Sequence, residues 1–333
     1  MADMVDRTAT STLFGFDFQT NAAIVLMLEN IKDMKTIRME GYEDIEIGLN
    51  DGSSVLAQAK AVVNGSTDFS NVLSNLKDAM TSLSEASNKC PSTKQIIYIT
   101  NSINPLRVSS EKHIFFGLPT HRSYESLPPK SKKKIDSILS SIKPSIDKTK
   151  LLIQTIPFET DDEKERYKNV INAIRDFIVS IGSVNINPSE LHSIWKDDIF
   201  KSGTKKDSNL KLTKSDVVWP VIVLVTENMN FEDEDIEDSE IDEISRLYKD
   251  IINTCAERYE FVTNVLYSFN SYTEGSRKER IKLFIDSKYK DYIDLFDGTT
   301  INDDIKPILI KIILRNILTK RFQIDNIKKA TNL

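Results

Sequence analysis

At 333 residues the chain exceeds what one hydrophobic core usually organises, and with 40% hydrophobic residues it carries enough apolar surface for two domains. Ten Gly and ten Pro exclude a collagenous or linker-like chain. A formal charge of -6 excludes a protein that coats nucleic acid with its whole surface, while leaving room for one local basic groove.

The N-terminus carries Asp3 and Asp6 where a secretory signal would carry basic residues, and the longest apolar runs, Ala22 to Leu28 and Trp219 to Val225, are too short to span a bilayer. Cys90 and Cys255 are isolated, and His113, His121 and His192 are scattered, which speaks against a disulfide framework or a zinc site. The expectation is a soluble protein of a reducing cytoplasm, without membrane contact.

In chain order, Thr8 to Ile31 predicts a helix, with Phe14, Phe18, Ala22, Val25 and Leu28 recurring at three- and four-residue steps. From Glu43 the period becomes two. Ile45, Ile47 and Leu49 alternate with Asp44, Glu46 and Gly48, Asn50-Asp51-Gly52 supplies turn chemistry, and Val55 to Val63 is a second extended run. These two runs predict a β-hairpin. Ser66 to Ala86 returns to helical spacing, Gln95 to Thr100 predicts a buried strand, and Leu151 to Pro157 a further strand after a polar segment containing Lys130, Lys132, Lys133 and Lys134.

Beyond about residue 160 the pattern is almost wholly helical: Asp161 to Ile181, Pro188 to Phe200, Thr213 to Thr226, Asp235 to Phe269, Gly275 to Phe296 and Asp303 to Phe322. The acidic run Glu232 to Glu243 reads first as a solvated loop and helix start, as do the basic pairs around Lys205-Lys206 and Arg277 to Lys282 as surface charge. Trp195 and Trp219 are expected in the core, and His192 in a structural role. The fold expectation is an α/β N-terminal domain over 1–160, a central mixed sheet flanked by helices, followed by an all-α domain over 161–333.

The hairpin decides whether its polar residues form a site. A two-residue turn would put Asp44 and Gln58 on opposite faces; a three-residue turn, Asn50-Asp51-Gly52, pairs Leu49 with Ser53 and sets Asp44 opposite Gln58 and Glu46 opposite Leu56. Gly52 suits the left-handed position that ends the longer turn, so the second register is predicted. It gathers a carboxylate, an amide oxygen and, at Lys60, an ammonium. Asp44, the Gln58 oxygen and the Ala59 carbonyl could then hold Mg²⁺ or Mn²⁺, with Lys60 beside the attacking water. Without the surrounding elements, the same residues would read as an exposed hairpin face.

Asp44 followed by Gln58-x-Lys60 on the next strand resembles the PD-(D/E)xK nuclease superfamily, in its Mrr-like, Gln-x-Lys branch. With Gly15-Phe16-Asp17-Phe18-Gln19 and Glu43-Asp44-Ile45, the first 100 to 160 residues resemble the double-stranded DNA endonuclease domain of CD-NTase-associated antiphage effectors and of the LmuA subunit of Lamassu systems. The resemblance implies a restriction-endonuclease-like fold, Mg²⁺-dependent cutting of double-stranded DNA, and Gln19 as a residue aimed at the metal, with Glu43 and Glu46 as weaker candidates.

It also implies an effector held inactive until assembly or partner release, with the helical domain serving oligomerisation or an SMC-like ATPase partner. The Lys130 to Lys134 cluster is a candidate DNA contact. Gln58 stands where most of the superfamily has an acid, which argues for one metal more than two. Competing expectations are a non-catalytic scaffold that keeps the nuclease fold, and a nuclease acting on RNA or single strands.

Overall fold

The computed structural model describes residues 7–117, 119–159, 162–183, 185–204, 211–227, 247–255, 257–276, 279–296 and 306–333. The acidic run Glu232 to Glu243, Lys205-Lys206 and Arg277 lie outside them. The chain divides into two compact units, one made of Met1–Phe177 with Pro188–Lys214, the other of Ile178–Asn187 with Ser215–Leu333.

The first unit contains helix α1 (Arg7–Asn30), strands β1 (Met34–Met39), β2 (Ile45–Leu49) and β3 (Ser54–Lys60), helix α2 (Val72–Lys89) and strand β4 (Thr93–Thr100). There follow β5 (Thr120–Ser123), α3 (Pro129–Leu139), β6 (Leu151–Thr155), α4 (Glu163–Arg166), α5 (Lys168–Ser180), α6 (Pro188–Gly203) and β7 (Leu212–Thr213). The strands form one mixed seven-stranded sheet in the order β5-β6-β4-β3-β2-β1-β7, in which β3, β4 and β6 are parallel and the other pairings antiparallel.

The parallel centre explains why β3 and β4 are near-continuous apolar runs, because helices cover both of their faces. On one face, Leu56, Ile96, Tyr98, Leu151 and Ile153 pack with Leu76, Ala79, Met80 and Leu83 of α2. Alternation places Ile45, Ile47, Val55, Ala57, Ile97 and Ile99 on the other face, all buried, and α1 lies against β1, β2 and β3 there. Helix α1 buries a continuous run from Phe18 to Val25 and on to Met27, which is why its spacing looks less amphipathic than that of α2.

Three strands escape the sequence pattern. In β1 a bulge between Met34 and Thr36 breaks the alternation, and only Met34, Ile37 and Met39 are buried. Strand β5 is four residues of half-exposed polar sequence, and β7 is two residues. Lys130 to Lys134, expected in a polar segment, instead belong to α3, which begins at Pro129 and turns Ser131 and Ile135 inward.

Helix α6 also departs from expectation, since it belongs with the sheet unit. It buries Leu191, His192, Trp195 and Ile199 and packs on α1 and β1. Trp195 and Trp219 are both core residues, as expected.

The second unit is helical among its described residues: α7 (Lys214–Glu227, which starts at the boundary), α8 (247–254), α9 (Tyr259–Ser271), α10 (Arg280–Lys288, continuing as 3₁₀ turns over Tyr289–Phe296), α11 (Lys306–Thr319) and α12 (Arg321–Thr331). The described part of the expected Asp235 to Phe269 helix is interrupted where Arg258 takes a φ of 40°. The expected Asp303 to Phe322 helix is two helices that meet at Lys320. Among the described residues no helix is long and apolar enough to cross a membrane.

Candidate active site

The β2–β3 turn sets the geometry. Leu49 N–H donates to the Ser53 carbonyl at 2.8 Å, Gly52 N–H to the Leu49 carbonyl at 3.1 Å, and Gly52 has a φ of 81°, the left-handed position that glycine occupies without a Cβ clash. The pairs Ile45–Ala57, Glu46–Leu56 and Ile47–Val55 follow. Extended by one step, this register sets Asp44 opposite Gln58.

The two side chains meet. Gln58 Nε2 donates to Asp44 Oδ2 at 2.5 Å, and the Ala59 N–H donates to the same oxygen at 3.0 Å. Gln58 is buried and Asp44 half-buried. Burial raises the Asp44 carboxyl above the ordinary aspartate range and Glu40 pushes the same way, while the Ala59 N–H and the Lys60 charge pull it back. Lys60 ends β3 on the same face as Gln58, where its charge bears on both Asp44 and Glu43.

Glu43 is the most perturbed acid in the sheet unit. Only 5% of it is exposed, Ser82 Oγ of α2 donates to its Oε1 at 2.8 Å, and its Oε2 is buried with no hydrogen-bond partner. Burial lifts its pKa to about 7, with Asp44 adding to the rise and Ser82 and Lys60 opposing it.

Gln19 bonds to Glu40 and makes no hydrogen bond to Asp44 or Gln58. Its Nε2 donates to Glu40 Oε1 at 3.0 Å, so α1 meets the site through the β1–β2 turn. Glu40 is the residue that the sequence pattern misses. It stands at φ 53° in a turn closed by its own N–H to the Asp44 carbonyl, 3.0 Å, and only that turn brings it close to the Asp44 charge.

Glu46 shares the Asp44 face but is engaged elsewhere. Arg38 lies at 2.5 Å from its Oε2 and Lys211 at 3.2 Å from its Oε1. Burial alone would raise it, but these two cations hold it below the ordinary glutamate range. Gly41 leaves the room for this pair, since a Cβ there would collide with both Arg38 and Glu46.

Beyond Lys60 the chain is clamped by Asn101, which follows β4. Its Oδ1 accepts from Val62 N–H at 2.9 Å, and its Nδ2 donates to the carbonyls of Val62 at 2.7 Å and Phe158 at 2.6 Å. An Asn directly after a buried strand is the signal that could have marked this position. In the Lys130 to Lys134 cluster, Lys130 contacts Ser110, and Lys132 contacts Glu125 and the Tyr124 ring.

His192 is structural. Its Nε2 pairs with Asn21 Oδ1 at 2.7 Å, and burial, reinforced by the Lys196 charge, lowers its pKa to about 4. Lys196 itself bonds Asp17 Oδ1 at 2.6 Å, tying α6 to α1.

Among the described residues no three His, Cys, Asp or Glu side chains are grouped to hold a metal. A cation at this hairpin would therefore draw on Asp44, the Gln58 amide oxygen and the Ala59 carbonyl, all oxygen donors of the kind a hard divalent ion takes. The unpartnered Glu43 Oε2 adds a further oxygen close by. These oxygens are of the kind one such ion takes, while Gln58 presents its Nε2 and not its oxygen to Asp44.

No family model matches the chain, and no solved structure matches it. Over 180 residues it is 24% identical to the CRISPR-associated endonuclease Cas9 of Campylobacter jejuni, a match covering 52% of this chain and 16% of that protein. The chain therefore spans only a small part of that relative's length. Distant, partial similarity to an endonuclease and a mixed sheet flanked by helices are together compatible with a nuclease, and the similarity assigns no role to any residue here.

Proposed function

We propose that the sheet unit is a restriction-endonuclease-like, metal-dependent DNA endonuclease of the PD-(D/E)xK type, cutting double-stranded DNA in the cytoplasm as the effector of a bacterial antiphage system. The observation that carries this reading is the meeting of Asp44 and Gln58 across the hairpin, with Lys60 ending the same strand face. Similarity to an endonuclease supports it at the level of reaction class.

Asp44, Gln58 and the Ala59 carbonyl would hold Mg²⁺ or Mn²⁺. The chemistry such an ion supplies when bound is charge neutralisation and a lowered pKa for a water near the phosphodiester. The chain's own residues do the rest. Asp44 fixes one wall of the site through the Ala59 N–H, Lys60 offsets negative charge building on the phosphate, and Gln19 holds Glu40 in place beside Asp44.

Cleaving both strands calls for two such sites, so activity is coupled to a homo-oligomer, and the helical unit is its control element. Release would come from assembly or from a partner such as the SMC-like ATPase of a Lamassu complex, the partner that the family resemblance implies. Lys130 to Lys134 remain a proposed contact for duplex phosphates.

The test incubates purified wild-type and Lys60→Ala protein with plasmid DNA and Mg²⁺, with and without enforced dimerisation. Nicking or linearisation by the wild type alone is expected. Absence of wild-type-specific cutting under both conditions overturns the nuclease reading in favour of a non-catalytic scaffold, and cutting confined to RNA or single-stranded substrates replaces its duplex preference.

A further inference from the structure

Helices α1 and α6 of the sheet unit run antiparallel, and their contacts form rungs at four-residue steps. Asn21 Oδ1 meets His192 Nε2 at 2.7 Å, and Asp17 Oδ1 meets Lys196 Nζ at 2.6 Å. One turn further on, the next rung is Leu13 with Phe200, which line the same cavity. Polarity runs the wrong way along this series. The buried rung is polar, while the outermost is apolar, with Leu13 70% and Phe200 53% exposed.

The cavity between the two helices measures about 460 Å³. Helix α1 lines it with Leu13, Phe16, Asp17 and Thr20, and α6 with Ser193, Lys196, Asp197 and Phe200. Both sets fall at i, i+3, i+4 and i+7, the spacing with which one helix faces another. The helices bury other residues against the sheet unit, Phe18 and Ala22 on α1 and Leu191, Trp195 and Ile199 on α6, so the cavity lining is a second helix-facing stripe on each.

We propose that this α1–α6 face is the seam of a two-fold dimer, in which the same pair of helices from a second copy completes a four-helix bundle. The face carries both a knob and a hole: Leu13, Phe16 and Phe200 stand at the rim of a cavity that their counterparts can fill, reciprocally, as an isologous interface requires. Charge also favours a copy of this chain. The chain carries a net charge of -6, yet the charges at this face are matched, Asp17 with Lys196 and Asp197 with Lys201 at 2.5 Å. A second such face meets it without net repulsion, whereas a strongly acidic or basic partner finds no excess charge to read.

Gln19, beside Thr20 on α1, bonds Glu40 of the candidate site, so the seam borders that site and pairing brings two sites into one assembly. That the pairing governs cutting rests on the nuclease reading; the pairing itself does not.

The experiment follows the full chain in EDTA by light scattering and sedimentation velocity over about 1–100 μM, a readout into which cutting does not enter. The wild type should pass from monomer to dimer. The Phe16→Ser/Phe200→Ser variant should weaken self-association about 100-fold, because each substitution counts twice across a two-fold axis. Leu13→Glu, at an exposed position that spares the fold, should do the same by setting a charge in the apolar seam. Phe16→Leu/Phe200→Leu should keep the dimer.

Hydrogen exchange should be slower in Leu13 to Thr20 and Ser193 to Phe200 of the dimer than in the Leu13→Glu monomer. A wild type monomeric over the whole range overturns the proposal. So does a dimer of equal strength in the Ser and Glu variants, and so does protection that lies outside α1 and α6. Loss of plasmid cutting with the dimer intact would instead count against the nuclease reading alone.

Discussion

Gln58 Nε2 donates to Asp44 Oδ2 at 2.5 Å across the β2–β3 hairpin, so the carboxylate of one strand is held by the amide of the next. That pairing makes Gln58→Glu informative. The change replaces a donor with a second acid, and two carboxylates at this separation repel. In EDTA the variant should lose about 1–2 kcal/mol of stability, and its melting temperature should rise more steeply with Mg²⁺ than that of the wild type. An identical Mg²⁺ response in the two proteins would remove residue 58 from the ligand set.

Lys60 lies at the half-exposed end of β3, so its truncation should spare the fold. Lys60→Ala is expected to lower the cutting rate about 10²–10³-fold, with plasmid affinity and melting temperature close to those of the wild type. Rate measurements at saturating DNA separate this outcome from a loss of binding, which would instead mark Lys60 as a phosphate contact.

Glu43 gives stability a defined pH dependence. Its carboxyl has an ordinary value of 4.5 and rises to about 7 in the fold, so the folded state holds the proton more tightly than the unfolded one. The cost of ionising it in the fold is therefore absent well below pH 4.5, and stability falls as pH rises from there to about 7, by about 3 kcal/mol in full. Glu43→Gln removes that dependence. Urea denaturation in EDTA should show the variant gaining on the wild type above pH 7 and matching it below pH 4.5. A difference that stays constant with pH would contradict the account.

Asn101 bonds three backbone groups of two segments, and Asn101→Ala would leave buried donors and acceptors unpaired. A loss of about 2–4 kcal/mol is expected, together with faster hydrogen exchange at Val62, the residue two beyond Lys60. Exchange at Val62 unchanged in the variant would show that the β3 exit is held by something else.

The hairpin was legible because its determinants are local. Asn50-Asp51-Gly52 fixes a turn length, the turn length fixes a register, and the register puts Asp44 against Gln58. Glu40 was not legible, since its approach to Asp44 depends on a positive-φ turn that nothing in Met39-Glu40-Gly41-Tyr42 announces. Gln19 was legible as a polar residue on a buried helix, but its partner was not.

The same division runs through the fold. Strand β4 announces itself as Ile96 to Ile99, while β1 is bulged, and the short β5 and β7 at the two sheet edges lack an apolar alternation of their own. Helix α6 is plain as a helix. Its allegiance to the sheet unit is decided by the fit of Trp195, Ile199 and His192 against α1 and β1, a choice made in three dimensions.

Strand β7 and helix α6 come from Pro188–Lys214, a stretch that rejoins the sheet unit after Ile178–Asn187 has left it. Strand β7 covers the open side of β1, and Lys211 supplies the second cation on Glu46. During synthesis, every chemical group from Gln19 to Lys60 leaves the ribosome well before that segment exists. A nascent chain thus carries the candidate site residues on a sheet with a bare edge, and the brace on that edge arrives only with Pro188–Lys214.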